Sequence, residues 1–139
     1  MKVFIDSDAF LALMNKSDNL HSRATALLAK LQQIENVVYI TSWDVIDEVA
    51  TKASYRLTKQ QAINFLKYVK DVATIIVYPD AKLSKEAQKI FTTTKSKKVS
   101  MTDCMSMAIA QQMKLDALFS FDKHFRQQNY TLLEDYLSS

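Results

Sequence analysis

The chain predicts an α/β protein in three layers (α/β/α), with helices on both faces of a central, mainly parallel sheet of four to five strands. Three observations carry this reading. Short runs of β-forming residues recur without polar alternation, as strands buried on both faces do. Stretches with helical apolar spacing separate them. Most of the runs end on an acid or a hydroxyl residue, at the sheet edge where open α/β folds meet their ligands. With 139 residues, 48% hydrophobic and 24% charged, the chain reads as one domain over residues 1–139, long enough to bury about two thirds of its unfolded surface.

The first strand is Val3-Phe4-Ile5, and it stops on Asp6-Ser7-Asp8 before a helical pattern from Ala9 to Met14. Asp6 is thereby placed at a strand's carboxyl end, although all three residues also suit a helix cap. Leu20, Ala24, Leu27, Leu28 and Leu31 then recur at helical spacing behind Asp18 or Asn19 as cap. His21 starts this helix with no Cys or His partner at ligand spacing, and is not read as a metal ligand. Val37, Val38, Tyr39 and Ile40 form a second strand closed by Thr41 and Ser42, which cap a helix carrying Val45, Ile46 and Val49 inward. Glu48 lies about two turns along that helix, beside the apolar stripe, whereas Asp44, Asp47 and Lys52 point more outward.

Thr58 opens the next helix, over residues 60–70, with Ile63, Phe65, Leu66 and Val69 on its apolar positions. Residues 74–78 give a third strand, expected to be buried, ended by Pro79; Asp80 starts a turn or caps the helix that reaches Phe91. A polar basic loop over residues 92–98 leads to a helix capped by Ser100 or Thr102. Asp103 falls in its first turn and Met105, Ala108, Ile109 and Met113 on its inner face. Residues 117–121 form a fourth apolar strand ending on Asp122, and residues 130–133 a short edge strand. Asp116 begins the fourth strand, so it belongs to the opposite edge and is excluded from the site.

Composition narrows the function. The single cysteine allows no internal disulfide, which fits a reduced, cytoplasmic setting; Cys104 reads as a small buried residue. The apolar start is too short for a signal peptide, and no run approaches the ~20 residues of a membrane span. Glycine is absent, which excludes glycine-rich nucleotide loops. The net charge of +3 is uneven. Residues 82–98 carry Lys82, Lys85, Lys89, Lys95, Lys97 and Lys98 against Glu86 alone, so the rest of the chain is acidic in balance, a distribution suited to holding a polyanion beside metal-binding carboxylates.

In a parallel sheet with right-handed crossovers all strand carboxyl ends open on one edge, so Asp6, Glu48, Asp103 and Asp122 should converge there. Converging carboxylates repel one another and take up protons unless a cation offsets them. All-oxygen donors, few histidines and no thiolate pair favour Mg2+ or Mn2+ over zinc. Such an ion activates water and shields a phosphodiester.

The residues that carry this chemistry also carry a family resemblance. Phe4-Ile5-Asp6-Ser7, the spacing from Thr41-Ser42 to Glu48, Ser100-Met101-Thr102-Asp103-Cys104 and the run from Phe119 to Phe125 together resemble the PIN domain, the nuclease fold of VapC-type toxins in toxin–antitoxin pairs. The resemblance implies Mg2+- or Mn2+-dependent cleavage of single-stranded or structured RNA. It implies Asp6, Glu48, Asp103 and Asp122 as the acidic site, with Asp6, Asp103 and Asp122 on the metal and Ser7 and Ser120 in its polar shell. An antitoxin protein and a homodimer are the implied partners, the latter in keeping with apolar residues such as Tyr55, Leu57 and Tyr68. Lys95, Lys97, Lys98 and Lys123 are then expected to contact RNA phosphates without reading sequence.

The chain departs from the family pattern in places. Lys114 or Leu115 and Asn129 stand where the family often has Gly, and Asp8 where a neutral residue is common. Two other readings stay open. Asp6-Ser7-Asp8 also resembles the nucleophile motif of haloacid-dehalogenase-type phosphatases, with Asp8 as general acid. Alternatively the acids are structural, in a module that only binds RNA or a protein.

Overall fold

The computed structural model describes residues 1–138. Its sheet has four strands, β1 (Lys2–Ile5), β2 (Val38–Ser42), β3 (Ile75–Val77) and β4 (Ala117–Phe119), in the order β3-β2-β1-β4 and all parallel. Each crossover is a pair of helices: α1 (Ser7–Met14) with α2 (His21–Gln32), α3 (Trp43–Arg56) with α4 (Lys59–Val72), and α5 (Ala81–Thr93) with α6 (Met101–Met113). Right-handed crossovers put α1 to α4 on one face of the sheet and α5 and α6 on the other, which makes the three layers. Two short helices, α7 (Lys123–Gln127) and α8 (Leu133–Ser138), complete the chain.

Burial follows what covers each strand. Val3, Phe4 and Ile5 on the inner strand β1 and Ala117, Leu118 and Phe119 on β4 are buried, and Phe10, Ile40, Phe65 and Phe125 close the core around them. The third strand is a correction. It lies at the sheet edge and Ile75 is 38% exposed, so its apolar run packs on fewer neighbours than the sequence implied. The expected last strand is only a bridge between Leu132 and Leu118, supported by the Leu118 amide donating to the Thr131 carbonyl at 2.9 Å. The fourth strand stops at Phe119, before Asp122.

Two turns that lack glycine bend left-handed all the same. Lys114 closes α6 at φ 53° and ψ 59°, and Asn129 follows α7 at φ 68°. The turn at Lys114 therefore keeps a conformation that glycine would adopt without strain. Asp116 accepts from the Lys2 amide at 2.7 Å, at the amino end of β1, which puts it at the opposite edge from Asp6 as expected. His21 is structural, with Nδ1 2.7 Å from the Ala12 carbonyl. No helix among the described residues is long and apolar enough to cross a membrane.

Candidate active site

Strand order reverses between β1 and β4: the first two crossovers step outward from β1 on one side, and the third returns to its other side. The crevice beyond the carboxyl ends of these two strands is where such a sheet accepts a ligand. Asp6 follows β1 and Ser120 follows β4 at that point. The Asp6 amide donates to the Phe119 carbonyl at 3.0 Å, which fixes the backbone across the crevice.

Asp6 occupies the N-cap position of α1 but makes no side-chain cap bond. Its Oδ2 instead accepts from the Ser120 hydroxyl at 3.1 Å. The carboxyl is buried, and burial raises its pKa well above the ordinary value. The charges of Asp8 and Asp103 add to the rise, while the Ser7 amide and the Ser120 hydroxyl oppose it. Ser7 thus serves the site through its backbone amide.

Asp8 is drawn into the same crevice. Its Oδ2 accepts from the Phe121 amide at 2.8 Å and faces the Ser120 hydroxyl at 3.3 Å, while Oδ1 is buried without a hydrogen-bond partner. Burial pushes its pKa up to about 6, against the Phe121 amide, the Ser120 hydroxyl and the Ala9 amide, and the Asp122 charge adds to it. The one hydroxyl proton of Ser120 serves Asp6 or Asp8, and its oxygen accepts from the Asp122 amide at 3.1 Å, so Ser120 is the junction of three acidic residues. The pull of Asp8 toward the crevice was not readable from sequence, because it depends on the Phe121 amide arriving from the far end of the chain.

Asp103 and Asp122 both do structural work where they stand. Asp103 forms a capping box with Ser100: its Oδ2 accepts from the Ser100 amide at 3.0 Å and its own amide donates to the Ser100 hydroxyl at 3.0 Å. Burial raises its pKa against those Ser100 contacts, and the charges of Asp122 and Glu48 raise it further. Asp122 caps α7 by accepting from the His124 amide at 2.9 Å. Glu48 is half-buried, ion-paired to Lys52 one turn on at 3.4 Å, and lines an open cleft of about 420 Å3 with Asp44, Asp47, Thr51, Lys52 and Thr102. Lys52, expected to point away, is turned onto Glu48.

The acids are therefore linked through their fields, Asp6 to Asp103 and Asp103 to both Asp122 and Glu48, but they are not drawn into one cage. Among the described residues no group of three or more His, Cys, Asp or Glu side chains is set to hold a metal ion. The donor chemistry still fits a hard, hydrated cation, since Mg2+ keeps several waters and needs only one or two carboxylates directly. The unpartnered Asp8 Oδ1 and the raised Asp6 carboxyl both mark uncompensated negative charge at the crevice. Lys95, Lys97 and Lys98 are exposed on the loop before α6, and Lys123 is exposed beside Asp122.

One feature was missed entirely: Trp43, the first residue of α3, stacks on Tyr78, just past β3. Their separation of 35 positions gave no sequence signal.

A family model described as the PIN domain matches residues 3–129 of the chain. Among solved structures, VapC20 of Mycobacterium tuberculosis, a sarcin-ricin loop cleaving toxin, aligns with a TM-score of 0.83 at 21% identity, over 93% of this chain and 96% of that one. VapBC-1 from nontypeable Haemophilus influenzae aligns with a TM-score of 0.71 at 15% identity, over 99% of each chain. VapBC2 from Rickettsia felis, bound to a DNA fragment from its promoter, gives 0.69 at 19% identity, over 95% and 97%. No curated protein matches the chain.

Proposed function

The chain belongs to the PIN domain family, and on that premise we propose that it is a Mg2+- or Mn2+-dependent endoribonuclease, a hydrolase acting in the cytoplasm as the toxin of a toxin–antitoxin pair. The observation that carries this reading is Asp6: a buried carboxyl at the sheet's switch point, unused as a cap and burdened by the charges of Asp8 and Asp103. A structural acid gains nothing from such a place; a cation site does.

In this reading Asp6, Asp103 and Asp122 hold the ion, directly or through water. When bound, the ion supplies a polarised water and offsets the charge that develops on the phosphodiester. Glu48 accepts a hydrogen bond from the attacking water and orients it toward phosphorus, or serves as a further ligand. The water oxygen bonds to phosphorus as the bond to the leaving oxygen breaks; the water gives up a proton to bulk solvent, and the leaving oxygen takes one up from it. Ser120 keeps the Asp6 carboxylate turned to the crevice through its 3.1 Å hydrogen bond, and the Ser7 amide supports the same carboxylate. Lys95, Lys97, Lys98 and Lys123 position the RNA by its phosphates.

The structural neighbours VapBC-1 and VapBC2 support an antitoxin protein as partner; a homodimer is part of the same reading. The phosphatase alternative loses ground to the family match, and Asp8, its required general acid, has one oxygen committed to the Phe121 amide. The caps made by Asp103 and Asp122 favour a second reading, in which the domain binds RNA or a partner without cutting. Incubating purified protein with RNA in Mn2+ or in EDTA decides between them. Cleavage in Mn2+ that is lost in EDTA and in Asp103→Asn supports the nuclease; binding without cleavage supports the second reading.

A further inference from the structure

The pair Trp43 and Tyr78 is an aromatic surface that the fold leaves in water. Trp43 directly follows β2 and Tyr78 directly follows β3, so both stand at the edge of the sheet that carries the acids. Their rings are near parallel, 21° between planes and 6.1 Å between centroids, yet Trp43 is 47% and Tyr78 65% exposed. Each ring restrains the other, while the outer surface of the pair stays open.

The surroundings select the occupant. Asp44 adjoins Trp43 and Asp47 lies one turn further on the same side of α3; both line the cleft with Glu48, Thr102 and Lys52, which is ion-paired to Glu48 and leaves Asp44 and Asp47, among the described residues, as its unpaired charges. Glu48 follows Trp43 by five residues, about 7.5 Å along the helix axis. A protein face seated on the rings would desolvate the Asp44 and Asp47 carboxylates with them, which is costly. A phosphate would be repelled by them. A planar base satisfies both constraints: its face stacks on the rings, and its exocyclic amino groups can donate to the carboxylates.

We propose that Trp43 and Tyr78 form a stacking platform for an unpaired nucleobase, which holds the RNA strand beside the acidic cleft. The proposal rests on the ribonuclease reading and adds to it the two residues that position the strand by a base. Base–aromatic stacking contributes about tenfold or more to affinity per base.

Trp43 is the sole tryptophan of the chain, so its fluorescence reports the platform directly. The full chain is titrated in EDTA, where nothing is cut, with a ten-nucleotide oligoadenylate and with an RNA duplex of equal length. The single strand should quench the emission saturably and the duplex far less. Trp43→Ala and Tyr78→Ala should each weaken oligoadenylate binding about tenfold, measured by anisotropy of the labelled strand, while Trp43→Phe stays within about threefold of wild type. Retention in Trp43→Phe separates stacking from folding. If Trp43→Ala binds as tightly as wild type and wild type still cleaves RNA in Mn2+, the platform is wrong and the ribonuclease reading stands. A change in emission with protein concentration alone would assign the rings to a contact between copies and also overturn the platform. Absence of both binding and cleavage in wild type removes the ribonuclease reading, and the platform with it.

Discussion

The Ser120 hydroxyl donates to Asp6 Oδ2 at 3.1 Å, joining the first residue after β4 to the first residue after β1 across the switch point of the sheet. Because the same hydroxyl faces Asp8 and receives the Asp122 amide, its loss is felt by all three. Ser120→Ala should cost about 1–3 kcal/mol of stability, the usual penalty for stranding buried polar groups, read by urea denaturation. It should also move the acid limb of the pH–rate profile upward. The hydroxyl lowers the pKa of both Asp6 and Asp8, and without it each holds its proton to higher pH. An unmoved acid limb together with unchanged stability would show that the hydroxyl supports neither acid.

Asp8 should make the metal-free protein less stable as pH rises. Its folded-state pKa, about 6, lies above the ordinary 3.8. Below pH 3.8 both states hold the proton and no penalty exists; above about 6 both have lost it and the folded state bears the full cost. The difference corresponds to up to about 3 kcal/mol. Asp8→Asn, whose side-chain oxygen can still accept from the Phe121 amide, should therefore be more stable than wild type at pH 7 in EDTA and no more stable near pH 4. Denaturation of both proteins at the two pH values checks this, and a difference independent of pH would contradict it.

The parallel sheet was legible because β1 and β4 are buried on both faces and their sequences say so without interruption: Val3, Phe4, Ile5 and Ala117, Leu118, Phe119. The same rule misjudged β3: β3 and β4 both stand at an end of the sheet, but only β4 is covered, beside the bridge between Leu118 and Leu132, and an apolar run looks alike either way. Ser42, Thr58, Asp80 and Ser100 were readable as caps because capping is local. The candidate acids were readable as residue types near strand ends and helix starts, but their couplings were not. Asp8 depends on the Phe121 amide and Glu48 on the turn of Lys52, contacts that no local pattern encodes. Asp103 and Asp122 act as caps while standing where the proposed site would use an acid, so a cap and a candidate ligand are one and the same residue at those positions.

Lys114 closes α6 at φ 53° with a full side chain in a region that glycine enters freely. A left-handed conformation costs a residue with a Cβ about 1 kcal/mol, so Lys114→Gly should raise stability by about that amount despite the greater freedom it gives the unfolded chain. The turn lies at the edge of the sheet opposite the acids, as the contact of neighbouring Asp116 with Lys2 shows, so RNA cleavage should be unaffected. Equal or lower stability of the variant would mean that the loss of the lysine side chain outweighs the relief of strain.

Metal binding should stabilise the fold, and the acids should destabilise it when metal is removed. Burial and the charges of Asp122 and Glu48 raise the pKa of Asp103, and burial with the charges of Asp8 and Asp103 raises that of Asp6. Each shift reports first burial and then repulsion, and a cation would offset both. At a hundredfold excess over its dissociation constant, Mn2+ should add about 2.7 kcal/mol to the stability of wild type, seen as a rise in Tm over the EDTA-treated protein. Asp103→Asn keeps a side-chain oxygen able to accept from the Ser100 amide, so it should fold as well as wild type in EDTA or slightly better, yet gain little from Mn2+. The two-arm comparison separates the cap from the ligand: a variant unstable in EDTA has lost the cap, whereas one stable in EDTA but unresponsive to Mn2+ has lost the ligand. A wild type whose Tm is the same in Mn2+ and in EDTA would leave the carboxylates without the cation that their mutual repulsion calls for.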